Sequence, residues 1–101
     1  EIGRTLAEAL ESEVVVTSTR LVPCETPVPS RLLQLIRQAR PNAEPYGSPT
    51  CSDRVFVNDR DAVKIGPGTS RRSHTADECV DLPEVAQARA LYGRVAREYL
   101  S

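Results

Sequence analysis

Apolar positions along the chain fall into two rhythms. In "EIGRTLAEALESE", residues 1–13, Ile2, Leu6, Ala9 and Leu10 recur at helical spacing, which predicts a helix over 2–12. "EVVVTSTRLV", 13–22, is rich in β-branched residues and predicts a strand. "PCETPVP", 23–29, carries three prolines in seven positions. Each proline fixes φ and removes a backbone donor, so regular structure breaks here and a domain boundary is expected.

Helical spacing resumes after Ser30, whose hydroxyl suits an N-cap. Leu32, Leu33, Ile36 and Ala39 form one face of a helix expected to run to about Arg40. Residues 41–52 are turn-rich. "DRVFVN", 53–58, and "DAVKIG", 61–66, read as short strands, the second running into Gly66-Pro67-Gly68. Residues 67–80 form a long irregular loop, a length often tied to function. The last element is a helix. Asp81 and Glu84 have capping-box spacing, and Pro83 fits the first turn. Val85, Ala88, Tyr92, Val95 and Tyr99 make its apolar stripe, which reads as core packing.

Charge and cysteine content narrow the function. The 101 residues hold 13 basic and 14 acidic side chains, a formal net charge of -1. That balance, with no long basic stripe, argues against a nucleic-acid partner. No apolar run is long enough to span a membrane, and no signal peptide is recognisable. Cys24, Cys51 and Cys79 are dispersed and odd in number, which argues against a disulfide framework or a self-contained zinc finger and for reduced thiols in a cytoplasmic protein. The sequence contains no methionine and opens at Glu1 on a helix already under way. The chain is therefore expected to be part of a longer one.

Candidate chemistry centres on "KIGPGTSRRSHTADE", 64–78, which holds the only histidine, His74. Imidazole ligates zinc, acts as a base or simply hydrogen-bonds, and a lone loop histidine is most often the last of these. Its setting sharpens the alternatives. Gly66 and Gly68 permit close backbone approach to a ligand, and Asp77 and Glu78 are placed to orient an imidazole. One histidine and three scattered cysteines cannot build a catalytic metal centre unaided. "GPGTSRRS", 66–73, offers N–H groups, hydroxyls and two arginines to an anion but lacks a P-loop ending. Thr50, Ser52 and Asp53 could contact a polar substrate or form an ordinary turn. Cys51 has no neighbouring histidine to activate it.

Together these stretches resemble the C-terminal end of the zinc aminoacylase family, which includes the acetylornithine, acetylcitrulline and acetyl-lysine deacetylases and succinyl-diaminopimelate desuccinylase. "AVKIGPG…SHTADECVDL" is similar to the family's strand, Gly-Pro-Gly turn and His-Thr-Pro-(Asp/Asn)-Glu loop. "PTCSDRVF" resembles its small-polar, acid-containing loop. "VPCETPVPSRLLQLIRQA" resembles its return from an inserted domain. The resemblance spans nearly the whole chain in order. It departs at Ala76, where proline is usual, and at Thr69, where an acid is common; neither position is a ligand.

The resemblance implies an α/β fold. Residues 30–101 would be the C-terminal part of a three-layer α/β/α catalytic domain, residues 23–29 a hinge, and residues 1–22 a helix-strand remnant of an α+β lid that mediates dimerisation. It implies a metal-dependent amidohydrolase that removes an acyl group, acetyl foremost, from an amino acid such as N-acetylornithine in amino-acid biosynthesis. Two zinc ions are implied, with cobalt or manganese as alternatives, and a homodimer. His74 would ligate one metal, Glu78 would brace His74 or its loop, and Gly66, Pro67, Gly68, Thr50, Ser52 and Asp53 would shape the substrate site. The family's His-x-Asp motif, bridging aspartate, Glu-Glu pair and further carboxylate are absent from these residues, so no catalytic base is present and the 101 residues alone are expected to be inactive. The competing expectation is a non-catalytic domain that binds an anion at 66–73 or a protein partner.

Overall fold

The computed structural model describes residues 2–101. Its elements are helix α1 (Ile2–Leu10), helix α2 (Arg31–Ala39), a 3₁₀ helix at Asp53–Val57, a 3₁₀ turn at Ser70–Arg72 and helix α3 (Leu82–Leu100). Among the described residues there is no strand. The expected three-layer α/β/α architecture, and the helix-strand character of residues 1–22, are therefore corrected: this chain folds as helices and irregular segments.

The physical reason is pairing. A strand is stable only when its backbone groups meet a neighbouring strand. Residues 13–22 find none, and Val14 and Val16 instead approach Gly3 of α1. In 53–58 the backbone satisfies itself locally, with Val55 N–H donating to the Ser52 carbonyl at 3.2 Å. Residues 61–66 carry no ladder either. The Ala62 carbonyl accepts from Thr26 Oγ1 at 3.0 Å, and the Ile65 carbonyl accepts from Tyr92 Oη at 3.3 Å.

The core lies between α2 and α3. Ile36, Leu91 and Val95 are buried there, flanked by Leu32, Leu35, Ala39 and Val63. Arg31, at the start of α2, donates to the Glu98 carbonyl at 3.1 Å and stacks 5.0 Å over the Tyr99 ring. Arg40, at the other end, donates to Gln87 Oε1 at 3.2 Å. These ties make the two helices antiparallel. The stripe expected on α3 is shifted: Ala88, Leu91 and Val95 are buried, whereas Val85 and Tyr92 are exposed. Helix α1 packs on neither α2 nor α3.

Ser30 is the polar anchor of the core. Its Oγ accepts from Leu33 N–H at 3.0 Å, the N-cap expected from the sequence. Its hydroxyl donates to Asp61 Oδ1 at 2.6 Å, while Asp61 Oδ2 accepts from Leu32 N–H at 3.1 Å. The Ser30 hydroxyl holds the Asp61 carboxyl below its ordinary value; partial burial opposes this, and the Leu32 and Arg31 N–H groups add to the lowering. One carboxylate thus ties the start of α2 to residues 61–63.

Shape follows from this small core. The radius of gyration is 17.8 Å, against about 13 Å for a compact chain of 100 residues. Accessible surface is 8649 Å², against about 5,700 Å² for a folded monomer of 11.1 kDa. The surplus includes large apolar side chains, among them Ile2, Val15, Val28, Phe56 and Leu82.

Candidate functional site

The 67–80 loop is a run of turns, each closed by a short-range bond. Arg72 N–H donates to the Thr69 carbonyl, Ser73 N–H to Ser70, Thr75 N–H to Arg72 and Glu78 N–H to Thr75. Thr69 caps the 3₁₀ turn with its side chain. Gly68 has φ +79, a left-handed conformation that glycine adopts without steric cost. Gly68, expected from the sequence to let backbone approach a ligand closely, uses this freedom here to make the turn.

His74 sits in the same loop with φ 60. A non-glycine residue there is uncommon, although histidine is enriched in it. Glu78 pins the conformation: its Oε2 accepts from the His74 backbone N–H at 3.2 Å. The carboxylate therefore meets the backbone of His74 rather than its ring. The imidazole is exposed. No group of three or more His, Cys, Asp or Glu side chains among the described residues is placed to hold a metal ion. By themselves these residues do not fit a zinc centre; His74 is a single donor.

Of the remaining candidates, Ser52, Asp53 and Gly68 each line one of two hollows, and Gly66 and Pro67 line neither. Ser52 and Asp53 line an open groove with Arg54 and Lys64, over a floor that includes Val63 and Ile65. Thr50 stands at its edge, where its Oγ1 accepts from Lys64 Nζ at 2.5 Å. Arg54 is anchored, donating to Asn58 Oδ1 at 2.9 Å and to the Glu25 carbonyl at 2.5 Å. Gly68 lines a second, smaller hollow with Thr69, Arg72, Asp81 and Glu84. His74 lines neither hollow.

The second hollow departs from the sequence reading. Asp81 makes no side-chain cap bond. Glu84 does not reach back to close a capping box; its Oε2 accepts the Gly68 N–H at 2.6 Å. An anion at the Gly-Pro-Gly turn would have to displace that carboxylate. Arg72, another candidate anion donor, points Nη1 at Cys79 Sγ, 3.1 Å away.

Sequence reasoning missed Lys64, Glu84 and Asp61. Lys64 had one local signal, a lone cation inside the apolar run "AVKI". Glu84 was read as a helix-start residue, and nothing local points to Gly68, sixteen positions away. No helix among the described residues is long and apolar enough to cross a membrane. Compared with protein-family models, curated proteins and solved structures, the chain matches none.

Proposed function

We propose that these residues supply one metal-ligating histidine and part of the substrate wall to a metal-dependent amidohydrolase acting on an N-acyl amino acid such as N-acetylornithine. His74 is the ligand, and zinc is the metal the family resemblance favours. The other ligands and the catalytic base come from residues outside these 101. The observation that carries the reading is the conformation of His74. Its backbone is held at positive φ by the Glu78 carboxylate, and its imidazole faces outward from a loop closed by successive turns. Backbone held in sparsely populated regions clusters at functional sites. The chain also exposes about 3,000 Å² more surface than a compact monomer of its mass, which leaves room for the structure that would complete the centre.

Within this reading Glu78 positions the histidine through the backbone. Ser52 and Asp53, with Thr50 at the edge, form one side of the substrate groove. Gly66, Pro67 and Gly68 set the turn that precedes the histidine loop.

The test uses the gene product that carries these residues together with the rest of its reading frame. With zinc present it should release acetate from N-acetylornithine, and His74→Ala should abolish that release. Unchanged turnover in the variant would sink the assignment.

A further inference from the structure

Lys64 lines the groove and is held there by a single side-chain contact. Arg54, on the same groove, gives two of its five N–H donors to neutral acceptors, Asn58 Oδ1 and the Glu25 carbonyl, and is held in place by them. An ammonium has three donors, and Lys64 gives one to a neutral hydroxyl, Thr50 Oγ1, at 2.5 Å. That hydroxyl lies 2.8 Å from Ser48 Oγ, which in turn accepts from Thr50 N–H at 3.4 Å. The hydroxyl pair draws the lysine along the groove edge without neutralising it. Asp53 lines the same groove, yet among the described residues neither Asp53 nor Lys64 takes part in an ion pair. Val63 and Ile65 line the same groove and give it apolar surface.

We propose that this groove binds a small carboxylate, with the Lys64 ammonium as its recognition group and Thr50 as the residue that positions the ammonium. A cation without a charged partner, in a groove that also holds apolar side chains and a lone carboxylate, suits a ligand with one carboxylate, a short aliphatic stretch and an N–H donor. Asp53 selects against a second carboxylate by repulsion. That the ligand is an acylated amino acid rests on the deacylase reading; the carboxylate preference rests on the groove alone.

The test is a metal-free amide-shift titration by NMR of the gene product that carries these residues, at constant ionic strength, with N-acetylglycinate and its neutral amide, N-acetylglycinamide. The open groove sets the affinity for N-acetylglycinate at roughly tens of millimolar. The carboxylate should shift the amides of Ser52, Asp53 and Val63–Ile65, and the neutral amide should shift them far less. Lys64→Gln should weaken carboxylate binding at least about threefold, Lys64→Arg should retain it, and His74→Ala should leave it unchanged. Equal shifts from acid and amide, or full binding by Lys64→Gln, would overturn the proposal. Those results leave His74 and metal-dependent hydrolysis untouched. Conversely, selective binding through Lys64 with undiminished hydrolysis in His74→Ala would keep the carboxylate site and remove the deacylase reading.

Discussion

Removing the Asp61 carboxylate tests how the chain is held together. Asp61→Ala deletes two bonds at once: the 2.6 Å bond from the Ser30 hydroxyl and the 3.1 Å bond from Leu32 N–H. Ser30 is 5 % exposed, so water does not readily replace the lost partner. Each hydrogen bond to a charged group contributes about 1.5–3 kcal/mol when it is shielded. The carboxylate is only half-buried and its second bond is longer, so the low end applies and the combined loss is about 2–3 kcal/mol. Leu33 N–H keeps its Ser30 acceptor, so helix α2 should not melt independently. The acid dependence has a definite sign. The folded-state value lies below the ordinary 3.8, chiefly through the Ser30 hydroxyl. Its stabilisation is therefore fully present above the unfolded value and is lost as pH falls through the folded one, below about 4. Urea unfolding followed by far-UV circular dichroism at pH 7 and pH 3 measures both effects. The variant should lose 2–3 kcal/mol at pH 7, and the gap to the parent should narrow at pH 3. A variant within 0.5 kcal/mol of the parent at pH 7, or a gap that does not depend on pH, would refute the reasoning.

Three further outcomes are expected. Leu91→Ala should cost about 2–4 kcal/mol in the same unfolding experiment, because it opens a cavity against Ile36 and Val95. Gly68→Ala places a Cβ 3.3 Å from Val80 Cγ2 at φ +79; it should destabilise the turn by about 1–2 kcal/mol and raise the rate of tryptic cleavage at Arg71 and Arg72. The surplus apolar surface should drive concentration-dependent association in sedimentation velocity, and a strictly monomeric chain at high concentration would contradict that expectation.

Helices α2 and α3 were legible because helical spacing and capping residues are local signals. Ser30 lies three positions before the amide it caps, so both ends of that bond fall within one short stretch of sequence. The phase of the α3 stripe was less legible. Tyr92 lies at helical spacing from Ala88 and Val95, but its hydroxyl turns to the Ile65 carbonyl, and Leu91 takes the place in the core. The strands failed for a different reason. β-branched runs such as Val14–Val16 specify a strand only when another edge is present, and here none is paired with them. At the candidate site, the turn at Gly66-Pro67-Gly68 was legible from its residues, but the reading tied the glycines to close ligand approach and did not include the positive φ of Gly68. The positive φ of His74 was not legible, because it depends on Glu78 and the turns around it. The Lys64–Thr50 and Glu84–Gly68 contacts join positions fourteen and sixteen apart, which periodicity does not encode.

The metal-ligand role proposed for His74 is measured by the bound zinc of the intact gene product, determined by elemental analysis beside acetate release from N-acetylornithine, for the parent and for His74→Ala. The variant should lose zinc from one of two sites and its turnover should fall more than about 100-fold, since even residues that only support a ligand cost 10–100-fold. Full zinc content with undiminished turnover would contradict that role.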